Sequence, residues 1–138
     1  MADLGTIKAS TTIYEQVLLV TGLFDDKKVY DEFEKGIRAI PGVKKLYWHV
    51  VYMSAAAQEK RSDLLSWDQT LVMETKAQGR LIGTAGVADV NFRVTADVFA
   101  TLYLMGRARS TGELDKAIAQ LRDGNGVRKV ANYATVRP

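Results

Sequence analysis

Runs of β-branched residues alternate with stretches whose apolar positions recur every three or four residues. Residues 5–12, GTIKASTT, suit a strand, and so do residues 16–23, where an apolar run ends at Thr21-Gly22. Tyr14-Glu15 reads as the hairpin connection between them. Val29, Phe33, Ile37 and Ile40 then form one helical stripe. Asp25 or Asp26 can cap that helix by accepting from free N–H groups of its first turn. Pro41-Gly42 stops it. Residues 45–53 return to β-branched and aromatic types and read as a strand.

The same order comes back 84 positions later: residues 17–53 lie on 101–137 without a gap. Leu18, Gly22, Asp31, Arg38, Gly42, Val43 and Lys45 meet Leu102, Gly106, Asp115, Arg122, Gly126, Val127 and Lys129. Residues 91–98 and 100–107 read as strands. Ser110 or Thr111 caps a helix with a Leu114, Ile118, Leu121 stripe, and Glu113 is placed for a capping box on Ser110. Gly124-Asn125-Gly126 ends it. Residues 127–136 form the last strand, with Val130, Ala134 and Val136 on one face. Residues 62–82 have no counterpart before the first copy and read as an extra helix starting at Ser62-Asp63. A repeat of this length means two copies of one small module. The expected fold class is α+β: in each module a small antiparallel three-stranded sheet packs against helices. The expected boundaries are 5–56 for a first module, ββαβ, that lacks a leading helix, and 60–138 for a second, αββαβ.

Composition changes this little. The chain has 138 residues, 47% of them hydrophobic, so each copy sits near the lower limit for a core of its own. The net charge is +3; residues 1–60 carry eight basic and eight acidic groups, and residues 61–138 eleven against eight. That bias supports weak attraction to an anionic partner and falls short of a dedicated nucleic-acid binder. There is no cysteine, hence no thiolate chemistry. No stretch reaches the roughly 20 apolar residues of a membrane-spanning helix. No signal peptide is visible, and an upstream leader or lipid-bearing cysteine stays open.

The order αββαβ, the stretches LLVTG and LYLMG, and the Gly-Val-x-Lys entry into the last strand resemble the BON domain. NFRV…LYLMGRARSTGELDKAI…GVRKVANYATV carries the resemblance best, and the whole spans about residues 10–137. The first copy departs by lacking the leading helix and by having Trp48 where the second has Asn132. The resemblance implies a tandem-BON protein of the bacterial periplasm or outer membrane, dual-BON lipoprotein-like. It implies non-catalytic binding to anionic phospholipid surfaces in support of membrane integrity or stress tolerance, with a lipidated N-terminus as a second anchor.

In such proteins the leading helix of the second domain meets lipid. Here it carries Leu64, Trp67 and Leu71 on one side and Met73, Ala77 and Leu81 opposite. A helix apolar on two faces has more greasy surface than one sheet covers. Leu64, Trp67 and Leu71, with Lys60, Arg61, Lys76 and Arg80 for phosphates, are the expected lipid-binding residues. The competing expectation is that this face packs between modules. The rival function is a protein–protein adapter or scaffold in the envelope, with other envelope proteins as partners.

No catalytic residues, metal site, cofactor or nucleic-acid partner are expected. His49 stands alone, without ligand spacing around it. Asp25-Asp26 and Asp31-Glu32 read as a cap and a solvated helix face. The glycines of residues 79–86 follow a helix and lack a phosphate-loop signature.

Overall fold

The computed structural model describes residues 8–137. The first half contains strands β1 (Lys8–Tyr14) and β2 (Val17–Phe24), helix α1 (Lys27–Arg38), strand β3 (Lys45–Tyr52) and a short helix α2 (Ala55–Glu59). The second contains helix α3 (Trp67–Ile82), a 3₁₀ turn at Asp89–Asn91, strands β4 (Phe92–Ala96) and β5 (Thr101–Ala108), helix α4 (Thr111–Arg122), and strands β6 (Lys129–Asn132) and β7 (Thr135–Val136). The chain divides into two compact units between Leu64 and Leu65. Residues 5–7 of the expected first strand lie outside the described residues.

The fold class is α+β, as the pattern predicts, but the sheets are mixed and not antiparallel. β1 runs antiparallel to β2, while β3 runs parallel to β2, with Val17 opposite Lys45 and Phe24 opposite Tyr52. The second unit repeats this with β4–β5 antiparallel and β5–β6 parallel. The reason is the helix between the strands. It carries the chain back to its starting end, and only a crossover of this length can join parallel neighbours. The central strands also explain their own composition. Strands with a buried residue at nearly every position read as continuous apolar runs, not as alternation. Leu18, Val20 and Phe24 of β2 are buried, and so are Leu19, Thr21 and Leu23 between them.

The 84-residue offset survives in atomic detail. Adding 84 to the bounds of β2 and α1 gives those of β5 and α4. The Lys44 N–H donates to the Gln16 carbonyl and the Arg128 N–H to the Ala100 carbonyl, at 2.8 and 3.0 Å. Gly42 and Gly126 take φ of 83° and 82° in the turn after each helix, a conformation that glycine adopts without strain.

The helix ends follow local chemistry. The Asp26 carboxylate accepts from the Lys28 and Val29 N–H groups, at 2.9 and 3.3 Å, and so caps α1. Ser110 caps α4 by accepting from the Glu113 N–H. Glu113 itself does not complete the capping box. Its carboxylate turns away to accept from the N–H groups of Arg109 and Ala88, at 2.7 and 2.8 Å.

The last strand of the second unit is also not continuous. The Asn132 side chain accepts from the Ala134 N–H, which folds the backbone aside between β6 and β7. Trp48 offers no such acceptor, and β3 runs unbroken. Val136 is accordingly exposed, off the face predicted for it.

Each unit has its own core. In the first, α1 lays Val29, Tyr30, Phe33 and Ile37 on Leu18, Val20, Phe24, Leu46 and Trp48. Phe33 sits 5.0 Å from Phe24 and 5.9 Å from Trp48, centroid to centroid. In the second, α3 and α4 together cover Leu102, Leu104 and Ala108 with Ala77, Leu81, Leu114, Ala117 and Leu121.

Candidate functional site

Helix α3 starts later than the sequence pattern suggests. Its cap is Ser66, which accepts from the Gln69 N–H, while the Gln69 side chain accepts from the Ser66 N–H, a full capping box. Residues 62–66 precede the helix, so Leu64 lies off it, half-buried. The Ser66-x-x-Gln69 signature was available in the sequence and marks the true start. Helix α2 has no counterpart in the sequence reading either.

One face of α3 is committed to the second unit's core. Thr70, Ala77 and Leu81 are at most 1% exposed, and Met73 packs beside them. The Glu74 carboxylate accepts from the Ala96 N–H of β4 at 2.8 Å. Burial raises that carboxyl above its ordinary range, and the Ala96 bond opposes the rise.

The opposite face is open. Leu71, Val72 and Ile82 are 43%, 52% and 62% exposed. A groove of about 330 Å³ runs along this side, lined by Leu65, Asp68, Gln69, Val72, Met73, Lys76, Asn125 and Gly126. A second depression of about 300 Å³ shares Val72 and Lys76 with it and adds Leu71 and Thr75. Trp67, the first residue of α3, is half-buried.

The expected lipid-binding residues are divided between the two units. Trp67, Leu71, Lys76 and Arg80 lie on α3, and Lys60, Arg61 and Leu64 belong to the first unit. Lys60 closes α2, its N–H donating to the Ala57 carbonyl. Arg61 makes a two-pronged pair with Asp63, both contacts at 2.7 Å. Arg80 donates to the Gln120 and Leu121 carbonyls at 2.7 and 3.4 Å, covering the C-terminal end of α4. Lys76 is exposed and lines both depressions.

Two further crevices were missed by the sequence reading. One, of about 280 Å³, is lined by Ile37, Arg38, Ile40, Val43, Lys44, Lys45 and Leu46. The other, of about 460 Å³, is lined by Arg122, Val127, Arg128, Lys129 and Val130. Every residue of the second is the 84-residue counterpart of one in the first. The signal was present in the overlay, since Arg38, Val43 and Lys45 are among its seven identities.

Among the described residues, no group of three or more His, Cys, Asp or Glu side chains gathers as metal ligands. No described helix is long and apolar enough to cross a membrane.

No family model matches the chain, and no curated protein matches it in sequence. Among solved structures it is similar to CdsD, a structural protein of the type III secretion system of Chlamydia trachomatis. The identity is 14% and the TM-score 0.42, over 95% of this chain and 86% of that one. The C-terminal domain of CdsD aligns at 15% identity and a TM-score of 0.39, over 95% and 91% of the two chains. Likeness at this level assigns neither a family nor a function.

Proposed function

We propose that this chain is a non-catalytic adapter or scaffold module that docks another protein against the outer face of α3. The observation that carries this reading is the exposed row Leu71, Val72 and Ile82 on a helix whose other face fills a core. Leu71 and Val72 line the two adjoining depressions, while Ile82 stands at the far end of the helix, and exposed apolar side chains beside a groove are the usual mark of an interaction surface. A helix or strand of a partner fits such a groove, with Lys76 and Asp68 at its rim. The bacterial envelope is the setting implied by the resemblance of both copies to BON domains.

Attachment to anionic phospholipid through the same face is the second reading, favoured by Trp67 at the start of α3. It is the weaker one because of charge. An interfacial helix needs cations along its polar flanks. Arg80 is spent on the end of α4 and Arg61 on Asp63, which leaves Lys76 on α3 and Lys60 elsewhere.

Two measurements separate the readings. A photo-crosslinking residue at position 72, in cells expressing the chain, is expected to trap a discrete protein adduct that disappears in Leu71→Asp/Ile82→Asp. Vesicles with and without anionic lipid are expected to leave the fluorescence of a Trp48→Phe variant unchanged at low and high salt. A blue shift that requires anionic lipid and is lost in Trp67→Ala, with no adduct, replaces the adapter by the lipid reading.

A further inference from the structure

The two basic crevices occupy the same place in each unit, between the last turn of a helix and the first residues of an edge strand. Each presents three cations: Arg38, Lys44 and Lys45 in one, Arg122, Arg128 and Lys129 in the other. Elsewhere the two copies have diverged at most surface positions. Something has kept these charges.

Contacts particular to one copy do not account for the pairs Arg38/Arg122 and Lys45/Lys129. Arg38 pairs with Glu34 at 2.9 Å and stands over the Trp48 ring at 5.6 Å. In the second copy those positions are Ile118 and Asn132, so neither contact can form there, yet Arg122 remains. Lys45 stands 5.1 Å over the Tyr47 ring, and the counterpart of Tyr47 is Ala131, yet Lys129 remains. A cation in the last helical turn complements the helix dipole. That covers Arg38 and Arg122, but not Lys45 and Lys129, which lie beyond the glycine turn. The demand common to both copies is a positive crevice.

We infer that each crevice receives an acidic, extended segment of a partner protein, so that one chain offers two equivalent docking points. Three features select this occupant over a phosphate group. The cations sit beside apolar lining, Val43 and Leu46 in one crevice and Val127 and Val130 in the other, which suits a segment alternating carboxylates with aliphatic side chains. In the first crevice the Arg38 guanidinium already holds a carboxylate, that of Glu34, which a partner's carboxylate can replace; the second crevice has no such internal competitor at the matching position, Ile118. Among the described residues β3 and β6 each pair with one neighbour only, so each is the edge of its sheet, the place where an extended segment adds as a further strand. A phosphate would make no use of an edge strand. Lysine on a sheet edge normally discourages strand addition; here it turns away neutral and basic segments and admits acidic ones.

The inference rests on the reading of the chain as a protein adapter, but on residues other than those of the α3 face. The probe is a synthetic peptide alternating Glu with Val, titrated into the full chain by calorimetry, with the Lys-Val peptide as control. The expected result is two sites per chain for the Glu peptide and none for the control, with affinity falling by about tenfold between roughly 0.05 and 0.3 M salt. Arg38→Glu/Lys45→Glu is expected to leave one site, and so is Arg122→Glu/Lys129→Glu; the four changes together leave none. Arg38→Lys/Lys45→Arg keeps both. Circular dichroism on the same samples checks that the variants fold. Unchanged stoichiometry in the folded reversals overturns the inference, and so does absence of peptide binding. Inorganic phosphate or anionic vesicles binding through these cations in place of the peptide also overturns it, in favour of a phosphate site. Leu71→Ser/Val72→Ser, which removes the α3 contact, is expected to retain both peptide sites; the two surfaces can therefore fail separately.

Discussion

Glu113 shows how far a single residue can be read in advance. The sequence picks it out correctly as the residue three places after a helix cap, yet assigns it the wrong partner. Glu113 is 4% exposed, and its carboxylate bridges the Arg109 and Ala88 N–H groups, with the Arg109 guanidinium at 2.9 Å. Ala88 lies 25 residues away, and no local pattern announces a contact at that separation. Burial alone would push the carboxyl up. The ion pair and two backbone bonds outweigh it and hold the group at about 2, against an ordinary 4.5. A carboxyl depressed in the folded state stabilises above its unfolded value, and that contribution is lost as pH falls through the folded one. The depression corresponds to at most on the order of 3 kcal/mol, and to less in salt, because the Arg109 side of the ion pair is exposed to solvent. Denaturant melts at stepped pH should therefore show the second unit weakening between about pH 4.5 and 2. Glu113→Gln should lose about 1–3 kcal/mol at neutral pH and flatten that acid limb. An unchanged limb in the variant would assign the acid sensitivity to other carboxylates.

At the scale of one element, α3 tests whether a helical wheel can separate two apolar faces. The wheel places Met73, Ala77 and Leu81 opposite Leu71 and Ile82, and the structure buries the first set and exposes the second. Two adjacent residues therefore carry opposite expectations. Leu81→Ala should destabilise by about 2–5 kcal/mol, because it opens a cavity against β4 and β5. Ile82→Ser should stay within about 0.5 kcal/mol, since its side chain already meets water. Thermal or urea unfolding of the two variants checks this directly, and equal losses would mean that the outer face is covered in solution. What the sequence obscured was the helix start. Ser62-Asp63 mimics a cap, and only the reciprocal bonds between Ser66 and Gln69 decide between the two. Strand direction was obscured as well. Period and composition locate β3 and β6 but carry no sign for parallel or antiparallel pairing; the intervening helix supplies it. Asn132 was visible as a departure between the copies, though its consequence, the break before β7, depends on one side-chain bond to the Ala134 N–H.

For the molecule as a whole, duplication was the most legible property and the site the least. An overlay of residue types finds positions that both copies must keep, so it recovers the turn glycines and the central strands. It also retained Arg38 and Lys45, but a retained charge acquires meaning only when the fold gathers it with others into a crevice. Function-bearing surface is built from residues distant in sequence, and that gathering is what a linear pattern lacks. The repeat does make one further prediction. β2 and β5 occupy the centre of their sheets, paired on both sides, with Leu18–Phe24 and Leu102–Met105 buried. Their amides can be exposed only by breaking pairings on either side together with the core. Amide hydrogen exchange under native conditions should thus be slowest in these two strands, at positions related by the 84-residue offset. β1, β3, β4 and β6, which lie at sheet edges, should exchange earlier, and so should β7, which among the described residues pairs with β5 alone. Protection confined to one central strand would mean that the two copies share a topology without sharing a stability.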